Sequence, residues 1–466
     1  MASPAGPEPE PTRQTWAEVL SNARKNWREA RRHLLHKITW SRLFRLTSYA
    51  RSALWIVPFF AIVAVMITVP VLRFLDNWIP WDLIGLDVDG ARTLFQTVIT
   101  LTSSFIIFTF GSLLVAIQIA GGQLTPRIIA TTLLRDNVVR YSVGLFVFAL
   151  MFSGMALNRI QDHVHQLVTL LTAVLGVATV VVFLFLIDYA ARLLRPGTIL
   201  ARVGSEGIGV IAAVYPDTIG DDGDEASRFA NLPETPRRLV THVGPSETIL
   251  AVDLDAVMRE ARRTRGTVEL VPYVGDFLAT DEPLFVLYGG AMAIDDSKLR
   301  DSVAFGPERT IEQDPLFAFR ILVDIGLKAL SPAINDPTTG VLALDQIHRL
   351  LRYVGKRRLR GEVLADGLGH ARVIYRTPNW EDFVHIGCTE IRHYGASNVQ
   401  IARRLRALLD NLIDSLPTHR HQPVKDERDR LDQAIKAAYS ISADLALASV
   451  PDLQGLGGST GALPRS

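Results

Sequence analysis

The stretch from Thr93 to Ala120 constrains this chain most. It is a long apolar run in which Thr93, Thr97, Thr100, Ser104, Gly111 and Gln118 recur at spacings of three, four and seven, which puts them on one face of a helix. At about 1.5 Å per residue the run reaches about 42 Å, more than the roughly 30 Å of bilayer hydrocarbon, so a membrane span that tilts or protrudes is predicted. Such a stripe must face protein or water. It either packs against other helices, because Ser, Thr and Gly allow close approach, or it forms the wall of a pore.

A mean hydropathy of +0.21 with 21% charged residues is too apolar for an ordinary soluble protein and too charged for a pure membrane bundle. The chain is therefore expected to divide between two solvents. All long apolar runs precede about residue 190, and spans are predicted at about 52–75, 93–120, 141–157 and 164–187, a four-helix α-helical transmembrane domain over 51–192. Arg42, Arg45 and Arg51 precede the first span, Arg127, Arg135 and Arg140 lie between the second and third, and Arg192 and Arg195 follow the fourth. By the positive-inside rule both termini are then cytoplasmic. Residues 1–15 are Pro-rich and read as a disordered tail. Residues 16–50 read as a basic amphipathic juxtamembrane helix suited to anionic lipids, and nucleic acid is not expected as a partner. No ionisable residue falls near mid-membrane, which argues against a proton-coupled transporter. Thr125-Pro126 reads as a helix start at the cytoplasmic surface, with Arg127 close to the inner mouth of any pore. The single cysteine, Cys388, excludes a disulfide framework, and His163 and His165 without further ligands read as interfacial side chains.

Past Pro196-Gly197 the sequence reads as soluble. A small α+β module over 196–305 is predicted from strands at 239–243, 267–271 and 284–288 and a basic helix capped by Asp253 or Asp255. The acidic stretch from Asp217 to Glu234 lacks EF-hand spacing and reads as a solvated loop. A mainly helical part over 306–450 follows, with one strand at 371–375, a helix capped by Asn379 and a last helix from about Val424 to Ala448, and 451–466 reads as a Gly-rich disordered tail. Its densest segment runs from Arg309 to Gln346. Asp314 starts a helix that Pro332 stops, and Asp336 caps the next with Pro337 at its first position. Capping accounts for Ser331, Pro332, Asp336 and Pro337, whereas Asn335, Thr338 and Thr339 exceed what capping needs. With Arg309, Asp314, Lys328 and Asp336 they form a candidate anion-binding set at a helix N-terminus.

The segment Leu330-Ser331-Pro332-Ala333-Ile334-Asn335-Asp336-Pro337-Thr338, together with Gln118, Gln123-Leu124-Thr125-Pro126-Arg127 and the turn Gly275-Asp276-Phe277, resembles the bacterial membrane-protein family known as domain of unknown function 2254. The resemblance spans roughly residues 50–450 and implies the same organisation, four spans and a cytoplasmic domain, in the bacterial inner membrane; it brings no activity. Ile187-Asp188-Tyr189 departs from it where a histidine is expected. No phosphate loop, nucleophile elbow or paired metal spacing is present, so no catalytic residue, metal or cofactor is expected. The favoured function is a homo-oligomeric channel or passive conduit lined by Thr97, Thr100, Ser104, Gly111 and Gln118, with Arg127 at its inner end. The alternative is a membrane-tethered sensor or scaffold that binds a small anion or protein partner near Asn335.

Overall fold

The structure is a computed structural model that describes residues 39–76, 78, 85–123, 136–160, 164–193, 195–219, 237–359 and 363–457. The N-terminal tail, the basic segment before Thr39, the predicted surface helix with Arg127, most of the acidic loop, His163 and residues 458–466 lie outside these.

The chain enters through α1 (Trp40–Ser52) and continues through α2 (Ile56–Asp76), α3 (Val88–Gln123), α4 (Asn137–Leu157), α5 (Gln166–Leu193) and α6 (Pro196–Val214). Five of these helices, α2 to α6, are long and apolar enough to cross a membrane, rather than the four expected. The unforeseen one is α6. Its buried residues Ile199, Leu200, Val203 and Ile211 share a core with Phe319, Leu322 and Leu350 from the C-terminal helices. Gly207 permits this approach, because an added Cβ would lie 3.0 Å from Ala318 and 3.1 Å from Leu350. Among the apolar helices α4 is the most buried: it packs against α2, α3 and α5, with Phe146 and Phe152 fully enclosed. Gly144 of α4 abuts Val57 of α2, and Gly176 of α5 abuts Val98 of α3, so small residues do set helix approach here.

The C-terminal region is α+β. Strands β1 (Arg237–Thr241), β2 (Glu247–Val252), β3 (Thr267–Leu270), β4 (Phe277–Leu278), β5 (Pro283–Tyr288) and β6 (Val303–Gly306) alternate with α7 (Leu254–Thr264) and α8 (Asp296–Arg300). Asp253 caps α7 by accepting from Ala256 N. There follow α9 (Pro315–Leu330), α10 (Pro337–Val354), β7 (Val363–Ala365), β8 (Ala371–Tyr375), α11 (Trp380–Gly395), α12 (Val399–Ser415), α13 (His421–Ala438) and α14 (Ser442–Ala448). A five-stranded sheet has the order β1-β5-β3-β8-β7, parallel only between β3 and β8, and a three-stranded sheet has the order β4-β2-β6. Strand β8, from the mainly helical part, thus completes the sheet of the small module. Trp40 and Phe44 of α1 pack on Leu250, Ala251 and Ala304 of β2 and β6, and Ser48 Oγ donates to Glu312 Oε1 at 3.0 Å.

Two expectations change. The predicted helix from Val424 to Ala448 is interrupted at 439–441. Residues 451–457, expected to belong to a disordered tail, are instead docked: Asp452 is buried and its carboxylate accepts from the backbone N–H of Gln454, Gly455 and Gly457, while Gln400 Nε2 donates to Gly455 O. Gly455 and Gly457 hold positive φ, which turns the chain back over α12.

Candidate functional site

The predicted stripe lies together on one face of α3, and that face points away from the rest of the chain. Thr93, Thr97, Thr100, Ser104, Gly111 and Gln118 are all exposed, while Thr102 and Thr109 of the same helix are buried. The hydroxyls of Thr97, Thr100 and Ser104 donate to the carbonyls of Thr93, Gln96 and Thr100 at 2.8–2.9 Å, so their protons are used and their oxygens face outward. Nothing lies within 4 Å of where a Gly111 side chain would begin. Among the described residues the stripe is therefore not a packing face within one copy. Helix α2 turns Phe59, Phe60, Met66, Ile67 and Phe74 outward, α5 turns out Val174, Val177, Val181, Leu184 and Phe185, and α3 beyond Ser104 also exposes Ile107, Phe108, Phe110, Leu114 and Val115.

At the start of α4, sequence reasoning missed a buried junction. Asp136 is 2% exposed. Its Oδ1 caps α4 by accepting from Val138 N at 2.9 Å and Val139 N at 3.2 Å, and its Oδ2 accepts from Tyr189 Oη of α5 at 2.6 Å and Arg202 Nη1 of α6 at 2.9 Å. One carboxylate so ties the start of α4, the end of α5 and the first turns of α6, beside a cavity of about 620 Å³. The available sequence signal was an aspartate directly before an apolar run, which reads as a helix cap.

The candidates in the C-terminal region separate into two groups. Arg309 Nε donates to Asp314 Oδ2 at 2.6 Å, and Asp314 Oδ1 accepts from Phe317 N, which caps α9. Burial pushes the Asp314 carboxyl above its ordinary range, with Arg309 opposing. Gly275, at φ 98°, passes so close that any side chain there would collide with both partners. Next to this pair, Asp276, His385 and Glu390 line a cavity of about 360 Å³. The Arg320 guanidinium, which donates to Glu390 at 2.6 Å, holds that carboxyl below the usual carboxylate value. Lys328, in the last turn of α9, and Asn335, Asp336, Thr338 and Thr339, past its end, lie at the other end of a helix whose 16 residues span roughly 24 Å. The two groups do not converge. Asp336 accepts from Thr339 N at 3.1 Å and from Thr339 Oγ1 at 2.5 Å, so Thr339 belongs to the cap. Asn335 adopts φ 49°, a left-handed conformation that Asn tolerates better than most residues, and its N–H donates to Ser331 O at 2.8 Å. Backbone geometry thus accounts for Asn335. Thr338 and Lys328 are exposed. Among the described residues no group of three or more His, Cys, Asp or Glu is arranged to hold a metal. Cys388 is fully enclosed, and burial pushes its thiol up.

A family model described as predicted membrane protein, DUF2254, matches residues 51–411. The uncharacterized protein Mb1321c of Mycobacterium bovis and the uncharacterized proteins MT1328 and Rv1290c of Mycobacterium tuberculosis are each 25% identical over 393 residues, covering 78% of this chain and 72% of the relative. No solved structure matches the chain. Because the family model covers most of its length, including the stripe, the Asp136 junction and the capped α9–α10 corner, the chain belongs to the predicted membrane protein family DUF2254.

Proposed function

We propose that the chain is a multi-pass bacterial inner-membrane protein that assembles with copies of itself around the outward face of α3 to form a passive conduit, regulated by its cytoplasmic domain. The observation that carries this reading is the first half of α3, which turns Thr93, Thr97, Thr100 and Ser104 outward where α2 and α5 turn out apolar side chains; farther along, Gly111 and Gln118 share the outward side of α3 with Ile107, Phe108, Leu114 and Val115. Hydrocarbon offers no donor to hydroxyl oxygens or to the Gln118 amide, so a neighbouring copy or water is the better partner for that face. No charged residue lies on α3 between Arg92 and Gln123, which favours passive passage over ion coupling.

Connectivity supports placing α1 and the C-terminal domain on the same side of the membrane. Helix α1 precedes the first span, yet Trp40 and Phe44 rest on β2 and β6, which follow the last. An even number of crossings must then separate them. With α6 held in the core of the C-terminal helices, α2 to α5 serve as the four spans. The arginines flanking them support a cytoplasmic C-terminal domain and cytoplasmic termini.

The test is ion conductance of the purified chain in a planar bilayer, native against Ser104→Phe and Gly111→Phe, with labelling of Ser104→Cys by a water-soluble thiol reagent. Because Gly111 has open space around it in one copy and Cys388 is enclosed, neither experiment is confounded by misfolding or background labelling. We expect discrete currents that both Phe variants abolish, and labelling from the aqueous phase. Silence across voltages together with an unlabelled Ser104→Cys variant would refute the conduit and favour a tethered sensor or scaffold.

A further inference from the structure

We infer that the cytoplasmic domain binds a phosphate-bearing anion in the basic cavity along α10, a site separate from the α3 face and from the Asn335 corner. The cavity measures about 660 Å³, within the roughly 300–1,000 Å³ of small-molecule sites. Arg349, Arg352 and Lys356 line it at spacings of three and four, one above another on the same side of α10 and the turn that follows, and Arg357 adds a fourth cation. Like charges so placed repel. None of the four pairs with a carboxylate among the described residues. Arg349 Nη1 donates to Ser205 Oγ at 3.3 Å and Gln346 Oε1 at 3.4 Å, and Arg357 donates to Pro216 O at 2.9 Å and to Tyr353 Oη, with its guanidinium 4.4 Å from the Tyr353 ring.

The acidic group in the wall does not balance them. Asp345 is held by Arg404 at 2.7 Å, so its charge is already met. His348 adds no charge: burial holds its imidazole below the ordinary range, its Nε2 lies 2.9 Å from Asn411 Oδ1, and Arg404 Nη2 donates to its Nδ1 at 3.2 Å. Among the described residues that leaves four cations without a carboxylate partner around a concave surface, three of them guanidinium forks suited to phosphate oxygens, with a tyrosine ring at one wall. The phosphate group comes either from a soluble phosphate ester or from a lipid headgroup, and the chemistry of recognition is shared.

The experiment uses the purified full chain in a neutral detergent without anionic lipid, titrated with pyrophosphate by calorimetry, native against the Arg352→Gln/Lys356→Gln double variant. Both side chains are exposed and make no contact that the fold uses, so the variant should fold normally. The expected result is one site per chain, weakened at least tenfold in the variant, as the loss of a charge-assisted hydrogen bond implies. A second arm places both proteins in phosphatidylcholine discs with or without phosphatidylglycerol. If a headgroup is the natural source, phosphatidylglycerol displaces pyrophosphate from the native chain and copurifies with it more than with the variant. If the source is soluble, pyrophosphate affinity is the same in both discs. Equal pyrophosphate affinity of native and variant chains, or no binding in either arm, overturns the inference. The charge would then be met within the chain, for which Asp221, Asp222, Asp224 and Glu225, next in sequence after Thr218, are the candidates.

Discussion

Replacing Asp136 by Ala removes two things at once: the cap on α4 and the buried acceptor for Arg202 and Tyr189. A cap of this kind contributes about 1 kcal/mol. A hydrogen bond to a charged partner contributes about 2 kcal/mol, and Arg202, with 28% of its side chain exposed and Glu206 Oε1 at 3.6 Å, is not left as a fully buried orphan charge. The expected loss is about 3 kcal/mol, or roughly 6–12 °C in thermal midpoint at about 2–4 °C per kcal/mol. Arg202→Ala alone should cost about 2 kcal/mol, because Asp136 keeps its backbone donors and Tyr189. The pair interaction can be lost only once, so the double variant should cost about 3 kcal/mol rather than the additive 5, a coupling of about 2 kcal/mol. Unfolding followed by circular dichroism in neutral detergent measures all four corners of the cycle. Additivity within about 0.5 kcal/mol would show that Asp136 acts only as a cap and that α6 is not tied to the spans.

Three other substitutions or titrations test particular residues. Asn335→Gly should be neutral or stabilise slightly, whereas Asn335→Val should cost about 1–2 kcal/mol because a β-branched residue resists positive φ; equal midpoints would remove the backbone account of this position. Gly275→Ala should destabilise by more than about 1–2 kcal/mol, since positive φ and the collision with Arg309 and Asp314 add, and a native-like midpoint would contradict that contact. Asp366 accepts from Arg372 Nε at 2.8 Å and from the N–H of His370 and Leu368, and Arg372 leads in holding its carboxyl down at about 2. Its folded pKa lies below the unfolded value, so its contribution is complete above about pH 4 and is lost as pH falls through about 2. Carboxyl NMR of the turn should show no titration above pH 4; a midpoint there would mean the Arg372 pair does not form.

What the sequence revealed and concealed follows from the range of each interaction. The caps at Asp253, Asp314, Asp336 and Asn379 were legible because cap and helix are adjacent, and each now accepts a backbone N–H three residues on. Helix α6 was not, because Gly204, Gly207 and Gly209 lower its intrinsic helix propensity. The glycines at 204 and 207 serve contacts with Gln346, Ala318 and Leu350, more than a hundred residues away. Strands β2 and β6 lacked alternation, since β2 passes from Glu247 and Thr248 into four consecutive apolar residues and β6 has only four residues. The α3 stripe was legible as a face, but its outward direction depends on where α4 and α5 lie. Asp136 was hidden for the same reason: its partners are 53 and 66 positions distant.

The basic cavity and the span junction are joined by one rigid element. Ser205 of α6 accepts from Arg349 in the cavity wall, and Arg202, one turn earlier on the same helix, reaches Asp136. Between them Gly204 backs directly onto Gln346 of α10, so α6 cannot slide along α10 without repacking. Asp136 in turn begins α4, whose Phe146 meets Phe105 of α3 with ring centroids 5.9 Å apart, while Tyr189 ends α5, whose Phe183 stacks on the same Phe105 at 4.0 Å. Phe105 follows Ser104 of the stripe in sequence but lies on the inner side of α3. On the conduit reading, a displacement of α10 would reach, through α6, both helices that hold the back of α3. The hydroxyl face, exposed among the described residues, would be the side left to respond.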